Sequence, residues 1–333
     1  MPQIAIQTAS YLIATALLFL TLHLHLVPAL FAGMLVFVFI DKMSPLLSRA
    51  TKGRAAHLAA SIIVATFAVT LVSIGAIALI GLLKNGGGSG LPQLWEHLAN
   101  IIDDANDILP PWVVERLPSS ADDLRTLVGS WLHEHTAELQ GLGKEVALSL
   151  VHVLVGGILG ALIAVTRQCK PSDGALAIVL RERVATFEQS FEQVFVGQGK
   201  ISCVNTFFTG IYLAVVLPLL GIHLPFLKTM LVITLIVCCL PVIGNLTSNT
   251  IIFVVSASVS FPAALSSLAF LVVLHKVEFF LSGRILGHQI SAKTWELLLA
   301  MLVMETAFGL PGIACGPLFY AYMKAELRAA KLV

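Results

Sequence analysis

One stretch of this sequence limits the possible folds more than any other. From Thr229 to Leu274, 46 residues in all, there is no Asp, Glu, Lys or Arg. As a single α-helix this run would be about 69 Å long at 1.5 Å per residue, whereas the hydrocarbon core of a bilayer is about 30 Å thick. The chain must therefore reverse direction within the run. Pro241, Gly244 and Asn245 interrupt the apolar residues and mark the predicted break.

The composition indicates a membrane protein. Of the 333 residues, 57% are hydrophobic and 12% are charged, while soluble proteins carry about 25% charged residues. The net charge of +1 and the absence of a basic run give no reason to expect a nucleic-acid partner. No charge precedes Asp41, so we expect the first apolar segment to stay as an anchor rather than to be cleaved. We predict an all-α, polytopic membrane protein whose surroundings are the lipid bilayer.

Apolar segments of about 20 residues predict about eight transmembrane helices, some of them broken or re-entrant. The first five lie near 8–24, 28–47, 56–83, 143–166 and 200–220. The others come from the uncharged run and from the apolar segment around Glu305.

Three regions follow from this count. Residues 1–83 hold helices one to three, 84–142 form a small helical extracytoplasmic insert, and 143–333 form the transmembrane core. Within the core, residues 172–197 predict a cytoplasmic amphipathic helix, because Phe187, Phe191 and Phe195 recur every four residues. Such a helix packs against the core or lies at the membrane interface.

The distribution of Lys and Arg orients the spans. Loop 41–54 has four basic residues and stretch 167–200 has five, whereas 85–142 has two against nine acidic residues. These counts predict a cytoplasmic 41–54, an external insert and two cytoplasmic termini. With eight crossings, the loop that contains Arg284 and Lys293 falls outside, against the charge rule.

Two acidic residues stand out, because a charge at the bilayer centre costs at least about 2.5–3.5 kcal/mol and commonly marks a transport pathway. Glu278 falls near the end of the seventh predicted span, and Glu305 falls about ten residues into the eighth. Alternatively, Glu278 is an interfacial carboxylate neutralised by Lys276 or Arg284. Glu305 then lies at a shallower helix end, or is a protonated carboxyl bonded to a neighbouring backbone group. We include Glu278, Glu305 and Arg284 in a candidate transport pathway.

Polar residues around the break complete the candidate site. They are Asn205 early in the fifth span, and Pro241, Gly244, Asn245 and Asn249 in the interrupted run. A broken helix exposes backbone groups that can coordinate an ion or a substrate. Two simpler interpretations remain open: polar side chains that join helices, and a turn at the cytoplasmic surface.

Other kinds of site find little support. The five cysteines form no CxxC pair, and the sequence His133–Glu134–His135 puts its two imidazoles on different helix faces. We therefore predict no disulfide framework, no metal site, no cofactor and no catalytic residue. The absence of a Walker A motif and of HExxH or nucleophile-turn motifs disfavours an ATP-driven pump and an intramembrane enzyme.

Four segments together resemble the AI-2E (autoinducer-2 exporter, PerM-like) family of transporters. They are FEQVFVGQG, GIHLPFLKTMLVITLIVCCLPVIGN, KVEFFLSGRILG and FGLPGIACGPLFYAYMKAEL. In this comparison Glu278 takes the acidic position of the third segment. The chain departs from the usual pattern at Asn245, Phe279 and Gly283, and at Glu305, where small residues are usual.

The resemblance implies a secondary transporter in a bacterial inner membrane. Such a permease would export a small polar solute such as autoinducer-2, or exchange Na⁺ or Li⁺ for protons by antiport. It also implies a homo-oligomer, with a pentamer as the suggested assembly. The alternative is a membrane scaffold or sensor that acts through residues 84–142, and less favoured is an intramembrane enzyme.

Overall fold

A computed structural model describes residues 2–47, 133–166, 174–239 and 243–332, together with positions 59, 62, 63, 66, 67, 70, 126 and 130. Regular secondary structure in this part of the chain is entirely helical, which confirms the predicted all-α class. In chain order the helices are α1 (Pro2–His23), α2 (Val27–Leu47), α3 (Thr136–Thr166), α4 (Ala175–Ile211), a π-helical turn (Tyr212–Val216), α5 (Leu217–Leu219), α6 (Leu227–Val237), α7 (Ile243–Ala257), α8 (Phe261–Gln289), α9 (Thr294–Phe308) and α10 (Leu310–Ala329).

Four helical stretches among the described residues are long and apolar enough to cross a membrane. They are Ile4–His23, Ala147–Ala164, Ala175–Leu219 and Phe261–Gln289. Most of the span at 56–83 and most of the insert 84–142 lie outside the described residues. A total of eight crossings therefore stays a prediction.

The uncharged run is broken where the length argument requires it. Helix α6 ends at Val237 and α7 begins at Ile243, and a second turn at 258–260 separates α7 from α8. With 11 and 15 residues, α6 and α7 are about 16 and 22 Å long. Each is shorter than the hydrocarbon core of a bilayer, and the two pack against each other as a hairpin.

The predicted amphipathic helix and the predicted fifth span are one continuous helix. Helix α4 runs through Gly197 and Gly199 without interruption, because a glycine inside a helix costs only about 1 kcal/mol and does not end it. Its phenylalanine face packs inward. The Phe187 ring lies 5.4 Å from that of Tyr322 on α10, and the Phe191 ring lies 5.7 Å from that of Phe31 on α2.

Contacts divide the chain into two units. The first unit comprises 1–77, 142–194 and 289–333, and the second comprises 78–141 and 195–288. The candidate residues from Asn205 to Arg284 belong to the second unit, whereas Glu305 belongs to the first.

In the first unit, glycines let the backbones of α2 and α3 touch. A Cβ atom at Gly156 would lie 2.1 Å from the carbonyl oxygen of Ala29, and one at Gly160 would lie 2.1 Å from that of Gly33. Because no side chain fits into these spaces, the two helices cross at backbone contact distance.

The last apolar segment is a second hairpin rather than one span. The break falls at Gly309, which adopts φ 66° and ψ −147°, and Pro311 lies in the first turn of α10 while Pro317 lies inside that helix. Gly312 lets the returning helix approach α9, since a Cβ there would lie 1.9 Å from the Met304 carbonyl oxygen. At the end of the hairpin away from Gly309, Arg328 Nη2 donates a hydrogen bond to the Ser291 carbonyl oxygen at 3.1 Å.

Candidate functional site

The site is built around Glu278 on the buried face of α8. Ser267, Leu271, Leu274 and Glu278 recur at intervals of four, three and four residues, and all are buried. This spacing is that of one face of an α-helix. The sequence of α8 therefore turns the Glu278 carboxylate, which is 8% exposed, towards the interior of the second unit.

Two asparagines connect Glu278 to the hairpin and to α4. The Asn245 side-chain amide, in the first turn of α7, donates a hydrogen bond to Glu278 Oε1. Asn205 Nδ2 on α4 donates to Asn245 Oδ1 at 3.2 Å and to the Cys238 sulfur at 3.7 Å. The result is a chain of donors that runs from Asn205 through Asn245 to the carboxylate.

Gly244 is needed because two helices approach closely at the hairpin tip. A Cβ atom on this residue would lie 1.9 Å from the Val237 carbonyl oxygen and 2.8 Å from Cys238 Cα. Its φ is not positive, so the backbone at Gly244 does not require the conformational freedom of glycine. The missing side chain instead lets the start of α7 pack against the end of α6.

Carbonyl groups at the end of α6 find partners on α4. Ser202 Oγ donates to the Leu235 carbonyl at 2.6 Å, and Gln198 Nε2 donates to the Cys238 carbonyl at 3.0 Å. The last carbonyls of a helix have no partner within the helix, so side chains from elsewhere must satisfy them. Gln198 and Ser202 therefore satisfy these backbone groups, whereas Asn245 binds Glu278.

Glu278 is not held by a cation in the described part of the chain. No described Lys or Arg forms an ion pair with it, and Lys276 and Arg284 are both exposed. An interfacial carboxylate neutralised by either residue does not fit this geometry. The groups that the structure brings to Glu278 are instead neutral amides, with a thiol behind them.

A small cavity adjoins the carboxylate. Its volume is about 10 Å³, and its walls include Asn205, Phe208, Leu274 and Glu278. A cavity needs about 10–15 Å³ to hold one water molecule. It therefore accepts an occupant no larger than one water. Asn205, one of its lining residues, has a buried side-chain oxygen with no hydrogen-bond partner among the described residues.

The remaining predicted residues are not part of this network. Asn249 is half-buried one turn further along α7, and Arg284 is exposed on α8. Glu305 is exposed on α9 in the other unit, with no ion pair to a described residue. Pro241 lies outside the described residues. The structure thus brings together Asn205, Gly244, Asn245 and Glu278 from the predicted set.

Several residues of the site carried a signal that the sequence analysis missed. Gln198, Ser202, Asn205, Thr209 and Tyr212 are separated by four, three, four and three residues, and all are buried. Five buried polar residues that recur at helical spacing are unusual in an apolar chain. This periodicity, rather than any local motif, could have identified Ser202 and Tyr212.

The described residues contain no cluster of three His, Cys, Asp or Glu side chains that could hold a metal ion. The site consists of one buried carboxylate, amide donors and a cavity of water size. A carboxylate in this setting can gain or lose a proton, with the amides and the thiol as its neighbours.

The described residues form long apolar helices, and a hairpin of two short helices has a buried carboxylate at its tip. These features define a helical membrane protein with an internal polar site. Residues 9–331 match the AI-2E family transporter domain. The chain therefore belongs to the AI-2E family of transporters. No curated protein and no solved structure matches it.

Proposed function

We propose that this protein is a secondary transporter in which Glu278 is the proton-exchanging group. The observation that supports this most directly is the Glu278 carboxylate itself. It is buried, it binds Asn245 and, through it, Asn205, and it has no ion pair with a described Lys or Arg. A structural carboxylate buried in a membrane protein would normally have a cationic partner.

The position of Glu278 is suited to coupling proton exchange to movement of the α6–α7 hairpin. It meets the tip of the α6–α7 hairpin, and broken helices in transporters supply backbone and side-chain groups to ions and substrates near mid-membrane. Protonation of Glu278 changes the charge at the hairpin tip by one unit. In this proposal that change alters the contact with Asn245 and thereby couples proton exchange to movement of the hairpin.

The transported species is a small polar solute of the autoinducer-2 kind, which the family supports. The cavity beside Glu278 is too small for such a molecule, so the solute uses another route and Glu278 handles the proton. Exchange of Na⁺ or Li⁺ for protons is the alternative, and the flux experiment below separates the two.

We also propose a revised topology with both termini in the cytoplasm of a bacterial cell. The ends of the α9–α10 hairpin meet, since Arg328 binds the Ser291 carbonyl and Lys324 Nζ lies 2.6 Å from Glu296 Oε2. The loop with Lys293 is then on the same side as the basic C-terminal tail. This removes the conflict with the charge rule.

In this topology the two hairpins are re-entrant. Helices α1, α2, α3, α4 and α8 cross the membrane, as does the predicted span at 56–83, and the even number of crossings is kept. The inner membrane and assembly into a homo-oligomer such as a pentamer belong to the same proposal.

The test is proton flux into proteoliposomes under an imposed pH gradient, followed with an internal pH dye. Glu278→Gln keeps the shape of the side chain and removes its exchangeable charge, so we expect flux to fall by roughly 100-fold, a usual size for loss of a positioned acid–base group. Glu182→Gln, an exposed substitution on α4, is the matched control and should transport normally.

The same vesicles distinguish the alternatives. Dependence of proton flux on external Na⁺ or Li⁺ identifies cation exchange, and dependence on a small polyol or sugar identifies solute export. Normal flux in Glu278→Gln overturns the proposal. Loss of cellular function only on deletion of 84–142, with Glu278→Gln silent, supports the scaffold or sensor instead.

A further inference from the structure

The polar stripe on α4 extends beyond the Glu278 site. In the second unit its five members, Gln198, Ser202, Asn205, Thr209 and Tyr212, cover about 21 Å of helix at 1.5 Å per residue. Each is less than one-tenth exposed. Because these five residues share one helix face, their polar atoms line the interior of the second unit beyond the Glu278 site.

At its far end the stripe meets a cluster of hydroxyl groups. The Tyr212 hydroxyl lies 2.9 Å from Ser266 Oγ and 3.0 Å from Ser267 Oγ, and Ser256 Oγ lies 2.6 Å from Ser267 Oγ. A hydroxyl both donates and accepts, and its hydrogen rotates to suit its partners. The direction of these hydrogen bonds can therefore be reversed without any movement of the heavy atoms.

Three oxygen atoms on this part of α4 have no hydrogen-bond partner among the described residues. Asn205 Oδ1, Thr206 Oγ1 and Thr209 Oγ1 are buried and accept or donate no hydrogen bond within the described residues. Leaving a buried polar group unsatisfied costs about 1–3 kcal/mol, so three on neighbouring turns are hard to explain as packing. Each can accept a hydrogen bond from a water molecule or a hydrated proton.

The backbone changes at the same place. Tyr212 begins a π-helical turn, in which the Leu217 amide bonds to the Tyr212 carbonyl five residues earlier. Turns of this type are often found at functional sites. The Tyr212 ring is fixed by stacking on Phe270, with ring centroids 3.9 Å apart, so its hydroxyl is held against the serines.

We propose that Thr209, Tyr212, Ser256, Ser266 and Ser267 form a proton relay between Glu278 and the end of the second unit where α4 leads into α5. The relay rests on the proposed function, since it supplies the protons that Glu278 exchanges. Within the hydroxyl cluster each oxygen accepts a proton and releases its own to the next oxygen. No direct hydrogen bond joins Thr209 to this cluster or to Glu278, so in the proposal a water molecule carries the proton over each of these two gaps in the same way, and no group is consumed. Glu278 takes the last proton as a carboxylic acid, or releases it in the reverse direction.

The ionisable side chains that face this path are few. Among the described residues they are Glu278, the Cys238 thiol beside Asn205, the Cys239 thiol beside Ser202, and the Tyr212 phenol. On α8 the neighbouring His275 and Lys276 are exposed. The relay therefore works through neutral hydroxyls, with Glu278 as its acidic terminus.

The test uses two nearly isosteric variants of the full chain in proteoliposomes. Tyr212→Phe removes one hydroxyl and keeps the ring stacked on Phe270, and Thr209→Val replaces a hydroxyl by a methyl group. We expect each to slow proton flux by roughly tenfold or more, as for loss of a positioned proton-transfer group. Transport in D₂O should also be slower for the wild type than in H₂O.

The matched control is another buried hydroxyl pair of the second unit. Thr234 Oγ1 and Ser248 Oγ lie 2.7 Å apart between α6 and α7. Neither residue is a member of the proposed relay, and Thr234→Val should leave proton flux unchanged. Should Tyr212→Phe destabilise the protein, Ser267→Ala removes the central hydroxyl and carries the same expectation.

The outcomes separate the relay from the transport function. Normal flux in Tyr212→Phe, Thr209→Val and Ser267→Ala, with flux abolished in Glu278→Gln, overturns the relay and leaves the function intact. Normal flux in Glu278→Gln overturns the function. An equal loss in Thr234→Val also overturns the relay, because it shows that any buried hydroxyl has the same effect.

Discussion

Asn245 and Glu278 are 33 residues apart in the chain and are joined by a hydrogen bond at the tip of the α6–α7 hairpin. Asn205 extends this link to α4, 40 residues before Asn245. One amide side chain thus connects three helical elements of the second unit. A change in the charge of Glu278 acts on the hairpin through this single contact.

Replacing Asn245 by Leu should slow transport. Leucine has a similar volume but no donor, so Glu278 and Asn205 both lose a partner, at a cost of about 1–3 kcal/mol. Asn249→Leu, one turn along α7 and outside the network, is the control. Proton flux and thermal unfolding in detergent measure both effects, and equal behaviour of the two variants would contradict the role of Asn245.

Gly244→Ala should loosen the hairpin. The added Cβ would lie 1.9 Å from the Val237 carbonyl oxygen, and overpacking of this kind costs about 1–3 kcal/mol. In contrast, Gly199→Ala on α4 meets nothing within 4 Å and should be neutral or slightly stabilising. Unfolding midpoints of both variants check this, and a stable Gly244→Ala protein would show that the hairpin tip can shift freely.

The first unit offers a prediction on stability. Arg183 and Glu326 form an ion pair in which their side chains are only 11% and 7% exposed, and the guanidinium lies 3.9 Å from the centre of the Tyr11 ring. Glu326→Gln leaves Arg183 without its counter-charge, which should lower the free energy of unfolding by about 3–5 kcal/mol. The exposed pair Lys42–Glu192 is the comparison, and Glu192→Gln should change stability little.

The revised topology can be tested by labelling with an impermeant maleimide. Lys293→Cys should react only after the membrane is permeabilised, because its loop is cytoplasmic in the proposed arrangement. His223→Cys, an exposed position in the turn before α6, should react in intact cells. The wild-type protein gives the background labelling of the native cysteines. Labelling of Lys293→Cys in intact cells would instead support the topology with eight crossings.

The sequence was sufficient to locate the break in 229–274 and to select Asn205, Gly244, Asn245 and Glu278. The break follows from comparing the length of the run with the thickness of a bilayer. The four residues follow from the energetic cost of polar groups in an apolar segment. The pairing of these residues could not be predicted in this way. Periodicity shows which residues share a helix face, but not which other helix, 33 or 40 residues away, meets that face.

Glu305 illustrates a second limit of hydropathy. Its neighbours in the sequence are as apolar as those of Glu278, yet Glu305 is exposed and Glu278 is buried. Lipid tails and packed side chains are equally apolar, so composition does not distinguish them. The prediction of the eighth span as a single helix was wrong for a related reason. The chain reverses at Gly309, and the apolar pattern of the sequence does not indicate this reversal.

The short helices of the α6–α7 hairpin have an electrical consequence. In the proposed re-entrant arrangement the tip ends inside the bilayer, so a proton that reaches Glu278 has crossed only part of the membrane potential. Moving one full charge through 100 mV involves about 2.3 kcal/mol, and the depth of the tip divides this energy between the two halves of the route. The rates of proton uptake and release should therefore respond unequally to voltage, in a ratio set by the depth of the tip in the bilayer.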